Sequence, residues 1–148
     1  MARTMLRVLT KGCCDDEEFY RETSRVAADL YRKEFGSGMP VTPQLVRDFD
    51  IRHVLWIEDE GVAAATMVCL LKGGKFRVMG IAVRDKRKGY GTSLMQEIDR
   101  ILSPGSTLLL GVDNGKESTQ WLLDWYERLG FEIEDYGYDE TILVKYKD

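Results

Sequence analysis

Apolar residues recur with two different periods along the chain, and the period predicts which segments are strands and which are helices. Alternating or continuously apolar runs bounded by turn residues predict seven strands, over residues 4–9, 53–58, 62–71, 76–83, 107–112, 131–136 and 141–147. The run 62–71 is apolar on both faces, which is typical of a strand in the middle of a sheet. Asp59-Glu60-Gly61 and the segment 72–75 are predicted to be the turns on either side of it.

Two helices are predicted between the first and second strands. Asp15 is expected to cap the first of them, with Glu18 completing a capping box, and the helical spacing continues to Gly36. Thr42-Pro43 has the residue types of an N-cap and first helical position, and it predicts a short helix through Phe49.

Two further helices are predicted in the second half. The third carries an apolar face over residues 94–102. Ser118 or Thr119 is expected to cap the fourth, which should end at Gly130. The side chains expected on its inner face are Trp121, Leu122, Trp125 and Leu129.

These elements predict a single α/β (α+β) domain over residues 1–148, with the order β-α-α-β-β-β-α-β-α-β-β. About seven strands should form a mixed, mostly antiparallel sheet flanked by about four helices. The strand at 107–112 follows a helical crossover, so it should run parallel to the strand at 76–83.

Composition narrows the class of protein. The chain has 148 residues, 44% hydrophobic and 31% charged, which is ordinary for one soluble domain. The longest apolar run is about half as long as a membrane helix, and no signal peptide is recognised, so we expect a cytoplasmic protein without membrane association. Three cysteines and one histidine predict neither a disulfide framework nor a metal site.

Positive charge is concentrated in one segment of this acidic protein. The net charge of the chain is −4, which disfavours a nucleic-acid partner and favours cationic substrates. Residues 84–93, however, hold four basic side chains and one acidic one. Gly89 and Gly91 let backbone N–H groups approach a ligand where the chain enters the third helix. This segment therefore predicts an anion site, most naturally for a phosphate.

Two common phosphate loops do not fit these residues. A P-loop requires Gly-x-x-x-x-Gly-Lys-Ser/Thr, which is absent, and a dinucleotide fingerprint requires a glycine where Leu94 stands. The segment Lys86 to Gly91 instead resembles the pyrophosphate loop of the GCN5-related N-acetyltransferases, Gln/Arg-x-x-Gly-x-Gly/Ala, with Lys86 at the Gln/Arg position. The segment 125–131 is similar to the family's Tyr-x-x-x-Gly-Phe ending, and the predicted element order agrees with the family.

The resemblance implies acetyl-CoA as cosubstrate and a primary amine of a small molecule, peptide or protein as acceptor. The amine would attack the acetyl group directly, in a ternary complex. The protein would act as a monomer or homodimer. The cofactor-binding residues that it implies are Ile81, Ala82, Val83, Lys86, Arg87, Lys88, Gly89, Tyr90, Gly91, Thr92, Ser93 and Asn114. Tyr126 matches the family's tyrosine, which serves as general acid to the leaving thiolate, although a core tyrosine would explain the same position.

A general base is not legible in the sequence. Many family members carry a glutamate on the strand before the loop, but residues 75–83 contain no carboxylate. Asp113, Glu58 and His53 are candidates, each of them also explained as a turn, surface or structural residue. Two alternatives therefore stay open. One is a catalytically inactive acyl-CoA-binding sensor or scaffold, and the other is a nucleotide-binding regulatory domain.

Overall fold

A twisted sheet of seven strands forms the centre of the computed structural model, which describes residues 4–35, 43–84 and 88–148. The strands are β1 Met5–Thr10, β2 Ile51–Glu58, β3 Val62–Leu70, β4 Phe76–Val83, β5 Thr107–Asp113, β6 Glu132–Tyr136 and β7 Glu140–Tyr146. The helices are α1 Asp16–Phe35, α2 Pro43–Asp48, α3 Tyr90–Ile101 and α4 Thr119–Arg128. The predicted element order is confirmed.

The strand order in the sheet is β1-β2-β3-β4-β5-β7-β6. Every neighbouring pair is antiparallel except β4 and β5, which are parallel and joined through α3. The fold class is confirmed, and β3 has the central, buried position that its apolar run predicts.

Two apolar layers cover the sheet. On one face, α3 and α4 pack Leu94, Ile98 and Leu123 against strands β2 to β7. On the other face, α1 and α2 pack Phe19 and Val46 against strands β2 to β4. Burial of a side chain such as Leu94 or Ile98, both fully buried, contributes about 1.5–3 kcal/mol.

Local signals explain where two of the helices begin. The Asp15 carboxylate accepts a hydrogen bond from the Glu17 backbone N–H at 2.8 Å, which confirms Asp15 as a cap. Gly89 precedes α3 with φ 76°, a left-handed conformation that favours glycine, and the helix begins at the next residue, Tyr90. The predicted positions Gly36 and Thr42 lie outside the described residues.

The predicted inner face of α4 is partly wrong. Leu123 and Tyr126 are its buried side chains, whereas Trp121 is 60% exposed. Leu122, Trp125 and Leu129 are only partly buried. The large apolar side chains suggested a core stripe, but the helix is turned so that the two tryptophans stack on each other beside the sheet, with ring centroids 6.1 Å apart.

Neither predicted N-cap residue forms a side-chain cap on α4. Ser118 occupies the cap position without a capping hydrogen bond from its side chain. The Thr119 hydroxyl donates instead to the Asp113 carbonyl at 2.7 Å and accepts from the Lys116 N–H at 3.0 Å. These two bonds fold the connection between β5 and α4 back onto itself.

Candidate functional site

Strands β4 and β5 separate soon after they meet. They pair only through Phe76 with Leu108 and Arg77 with Leu109, although each strand continues for several residues beyond. Beyond Arg77 and Leu109, the facing backbone edges of β4 and β5 form no ladder with each other. A cleft of about 990 Å³ opens in this gap. It lies at the size limit of typical ligand pockets, which span about 300–1,000 Å³.

A β-bulge in β4 accompanies this separation. Thr66 pairs with Ile81 and Val68 with Val78, so β4 has one more residue than β3 over this stretch. The extra residue falls at Met79-Gly80, where Gly80 has φ 109° and its carbonyl accepts a 2.7 Å hydrogen bond from the Thr66 hydroxyl. The bulge also reverses the alternation of side chains, so that Val78 before it and Ile81 after it face the same layer.

The first turn of α3 closes one end of the cleft. Gly89, Tyr90, Gly91 and Thr92 line it. The first N–H groups of a helix have no partner within the helix, and the helix dipole favours a negative charge there. A Cβ on Gly91 would lie 3.3 Å from the Trp125 ring, so this glycine lets the helix pack closely against the aromatic wall of the cleft.

Asp59 holds the entry to α3 in place. Its carboxylate accepts a hydrogen bond from the Tyr90 hydroxyl at 2.5 Å and pairs with the Lys88 ammonium at 3.3 Å. The bond from Tyr90, followed by that from Lys88, lowers the pKa of the Asp59 carboxyl. Arg84, at the end of β4, donates to the carbonyls of Asp59 and Glu60. The turn between β2 and β3 is thus tied to both sides of the glycine-rich loop.

Aromatic side chains of α4 form a wall of the cleft. Trp125 lies 4.8 Å from Tyr126 between ring centroids, and Phe131 packs edge-on against Tyr126 at 5.8 Å. Tyr126 is 8% exposed and lines the cleft. Burial raises the pKa of Tyr126 to about 12, so its hydroxyl stays protonated throughout the physiological range.

The structure brings most of the predicted site residues together. Those that line the cleft are Ile81, Val83, Gly89, Tyr90, Gly91, Thr92 and Tyr126. Lys88 is exposed beside them, in its ion pair with Asp59. Lys86 and Arg87 lie outside the described residues.

Three other predicted residues are not among those that line the cleft. Ala82 is fully buried in the layer of α1. The Ser93 hydroxyl donates back to the Gly89 carbonyl. The Asn114 amide donates to the Gly137 carbonyl at 2.8 Å and accepts from the Thr141 hydroxyl at 2.7 Å. Asn114 directly follows β5, and these bonds make it an anchor of the turn between β6 and β7.

Of the three candidate bases, only Asp113 is among the residues that line the cleft. Glu58 pairs with Arg7 at 3.4 Å and accepts a hydrogen bond from the Trp56 indole. His53 is hydrogen-bonded to Thr10 at 2.9 Å, and burial lowers its pKa. Both are engaged elsewhere in the sheet.

Sequence reasoning identified neither Arg77 nor Glu140 as a site residue. Both side chains line the cleft and form an ion pair 3.4 Å long. The positions of Arg77 and Glu140 in the sequence give no sign of this ion pair, because it depends on the register of β7 against β5. Trp121 and Trp125 were likewise expected in the core, whereas both line the cleft.

Searches with the sequence alone find no relatives. No protein-family model matches it, and neither does any curated protein.

Comparison of the fold with solved structures is informative. An N-acetyltransferase from Staphylococcus aureus Mu50 superposes with a TM-score of 0.65 at 18% identity, over 99% of this chain and 98% of that one. A GNAT family acetyltransferase from Elizabethkingia anophelis with acetyl-CoA bound gives 0.63 at 14% identity, over 97% of each chain. The PaiA N-acetyltransferase from Thermoplasma acidophilum in complex with coenzyme A gives 0.62 at 13%, over 96% and 99%. The chain therefore has the fold of the GCN5-related N-acetyltransferases.

Proposed function

We propose that this protein is an acetyl-CoA-dependent N-acetyltransferase that transfers the acetyl group directly to a primary amine in a ternary complex. The observation that carries the proposal is the cleft between β4 and β5. It combines two strand edges that no ladder joins with a glycine-rich helix N-terminus at one end and a buried tyrosine in its wall. Structures with the same fold have been solved with coenzyme A and acetyl-CoA bound, which supports the choice of cosubstrate.

The residues of the cleft fit coenzyme A in chemistry. The first-turn N–H groups of Tyr90, Gly91 and Thr92 are suited to its pyrophosphate, with Lys88 adding positive charge nearby. The backbone edges of β4 and β5 are suited to the amides of its pantetheine arm, which would act like a short added strand. Ile81, Val83 and Trp125 line the cleft and offer apolar contact to the pantetheine arm.

Acetyl-CoA supplies an acetyl group activated as a thioester. In the transfer, the acceptor nitrogen forms a bond to the acetyl carbon, the carbon–sulfur bond breaks, and the proton lost by nitrogen balances the one gained by sulfur. Strand β4 would place backbone N–H donors beside the acyl oxygen, where negative charge develops.

Tyr126 is the residue we assign to the leaving sulfur. Its pKa of about 12 lies above the pKa of an alkyl thiol, about 8.5, so the phenol acts first as a hydrogen-bond donor to the thiolate. Its low exposure strengthens that bond, because few waters compete. Asp113 is the candidate base from the sequence that remains at the cleft.

The test is release of free thiol from acetyl-CoA, measured with and without a panel of primary amines. We expect amine-dependent release, with the acetylated product identified by a mass increase. Binding of acetyl-CoA without release for any amine would support the inactive acyl-CoA-binding module instead. Binding of ATP as tight as that of acetyl-CoA would favour the nucleotide-binding regulatory domain.

A further inference from the structure

The cleft is lined from both faces of the sheet. Leu110 and Val112 of β5 point into the layer of α3 and α4, so Leu109, Gly111 and Asp113 point to the opposite face. Arg77 pairs with Leu109 and Glu140 with Asp113, which places both charged side chains on that opposite face. Tyr126 and Arg77 therefore line the same cleft from opposite sides of the sheet.

Gly111 makes room for the two charged groups. A Cβ at this position would lie 3.0 Å from Arg77 Nη2 and 2.9 Å from Glu140 Cδ, so any other residue would displace the pair. Glycine in the interior of a strand weakens the strand, since it has no side chain to pack and loses more entropy on folding. The pair thus occupies a space that the sheet keeps open at a cost in stability.

The pair itself contributes little to the fold. It consists of one contact of 3.4 Å between Arg77 Nη2 and Glu140 Oε2, with the two side chains 35% and 39% exposed. An ion pair exposed to this extent is worth about 0–1 kcal/mol. Within the part of the chain that the structure describes, the other guanidinium N–H groups of Arg77 have no hydrogen-bond partner.

From this geometry we infer that Arg77 and Glu140 recognise the acceptor, and that the acceptor is an amino acid or another small amine that also carries a carboxylate. The inference rests on the proposed acetyl transfer and names its substrate class. A guanidinium binds a carboxylate through two parallel hydrogen bonds, and the Glu140 carboxylate attracts the ammonium group. Arg77 lies two residues before the bulge at Met79-Gly80 and points to the face opposite to Tyr126. An acceptor held by Arg77 therefore reaches the cleft from that face.

The experiment compares each of the twenty common amino acids with its carboxamide in the thiol-release assay. For the preferred amino acid, kcat/KM should exceed that of its carboxamide by about 10- to 100-fold, the range expected from loss of a charged hydrogen bond. A carboxamide also lowers the pKa of the neighbouring amine. The same ratio is therefore measured in Arg77→Met, where this intrinsic effect is unchanged, and the ratio should fall to the value that the intrinsic effect alone sets.

A further variant separates acceptor recognition from the rest of the site. Glu140→Gln should raise the KM for the amino acid, while the Kd for acetyl-CoA stays within about twofold of wild type, because the Glu140 side chain faces the opposite side of the sheet from α3. Circular dichroism and melting confirm that each variant is folded.

An unchanged ratio in folded Arg77→Met would overturn the inference, and so would acetylation only of amines that lack a carboxylate. Either result would leave acetyl transfer standing. Failure of the wild-type protein to bind acetyl-CoA would instead remove the proposed function itself.

Discussion

The two edges of β4 differ in a way that locates the site. Its edge toward β3 is paired at six positions between Phe76 and Val83, with a single bulge. Its edge toward β5 is paired at two positions, Phe76 and Arg77, and then opens. One strand thus serves as scaffold on one side and, in the proposed function, as ligand-binding surface on the other. Backbone groups left out of a ladder need other partners, and in this fold a ligand can supply them.

The largest effect is expected from closing the helix end of the cleft. Gly91→Val should abolish thermal stabilisation by acetyl-CoA, because its Cβ would meet the Trp125 ring at 3.3 Å and force side chains into the space of the ligand. For wild type, a hundredfold excess of ligand over Kd should add about 2.7 kcal/mol to the free energy of unfolding. Differential scanning fluorimetry with increasing acetyl-CoA measures both.

Ser93→Val is the matched control for Gly91→Val. It places the same branched side chain in the same first helical turn, at an exposed position that does not line the cleft. Acetyl-CoA should still stabilise this variant. Full stabilisation of Gly91→Val as well would reduce the glycine-rich segment to an ordinary helix start.

A smaller effect, on chemistry alone, is expected at the aromatic wall. Tyr126→Phe keeps the ring that packs on Trp125 and Phe131 but removes the hydroxyl. The Kd for acetyl-CoA should be unchanged, while the single-turnover rate should fall about 10- to 1,000-fold, within or just below the range that acid catalysis usually supplies. Equal rates in the two proteins, measured before product release, would remove Tyr126 from the mechanism.

The bulge gives a way to disturb the two-edged strand itself. Gly80→Ala should lower the free energy of unfolding by about 1–3 kcal/mol, since φ 109° strains any residue with a Cβ. It should also weaken acetyl-CoA binding, because relief of the strain alters the open edge. A Gly80→Ala protein with wild-type stability would show that the bulge is readily lost.

Thr66→Val deletes the 2.7 Å hydrogen bond to the Gly80 carbonyl. This variant should lower the free energy of unfolding by about 1 kcal/mol, measured by urea titration.

The smallest effect is expected where Asp59 ties the loop to the turn between β2 and β3. Asp59→Asn should weaken acetyl-CoA binding about two- to tenfold, an effect of one or two hydrogen bonds. Tyr90 and Lys88 lower the pKa of the Asp59 carboxyl below its ordinary value of about 3.9. The contribution of Asp59 should therefore be constant above about pH 4 and be lost as the pH falls through the lowered pKa.

That pH profile distinguishes the charge of Asp59 from its size. Binding is measured from pH 7 down to pH 3 in wild type and in Asp59→Asn. The two curves should converge only at the acid end. A difference that disappears near pH 6 would assign the effect to another group.

Sequence patterns predicted the order of elements because each element carries its own period and its own stop residues. The parallel neighbour of β4 followed from the helical crossover alone. The bulge could not be predicted, because Met79-Gly80 looks like any other pair of residues within an apolar strand. Only the register of β4 against β3 reveals the extra residue.

The candidate site was predictable where it consists of contiguous chain and not where it depends on register. Gly89 and Gly91 indicate the helix end of the cleft from the sequence alone. Arg77, Gly111 and Glu140 come from three strands, and they meet only because β5 pairs with β4 on one side and β7 on the other. Trp121 was assigned to the core because a large apolar side chain gives no sign of whether it faces protein or an open cleft.

Among the described residues, no helix is both long and apolar enough to cross a membrane.

Hydrogen exchange of the backbone amides with and without acetyl-CoA tests the central claim most directly. On binding, we expect new protection in the open part of β4 after Arg77, in β5 after Leu109 and in the first turn of α3, with protection of the ladder between β2 and β3 nearly unchanged. Binding without added protection at the open edges of β4 and β5 would contradict the account.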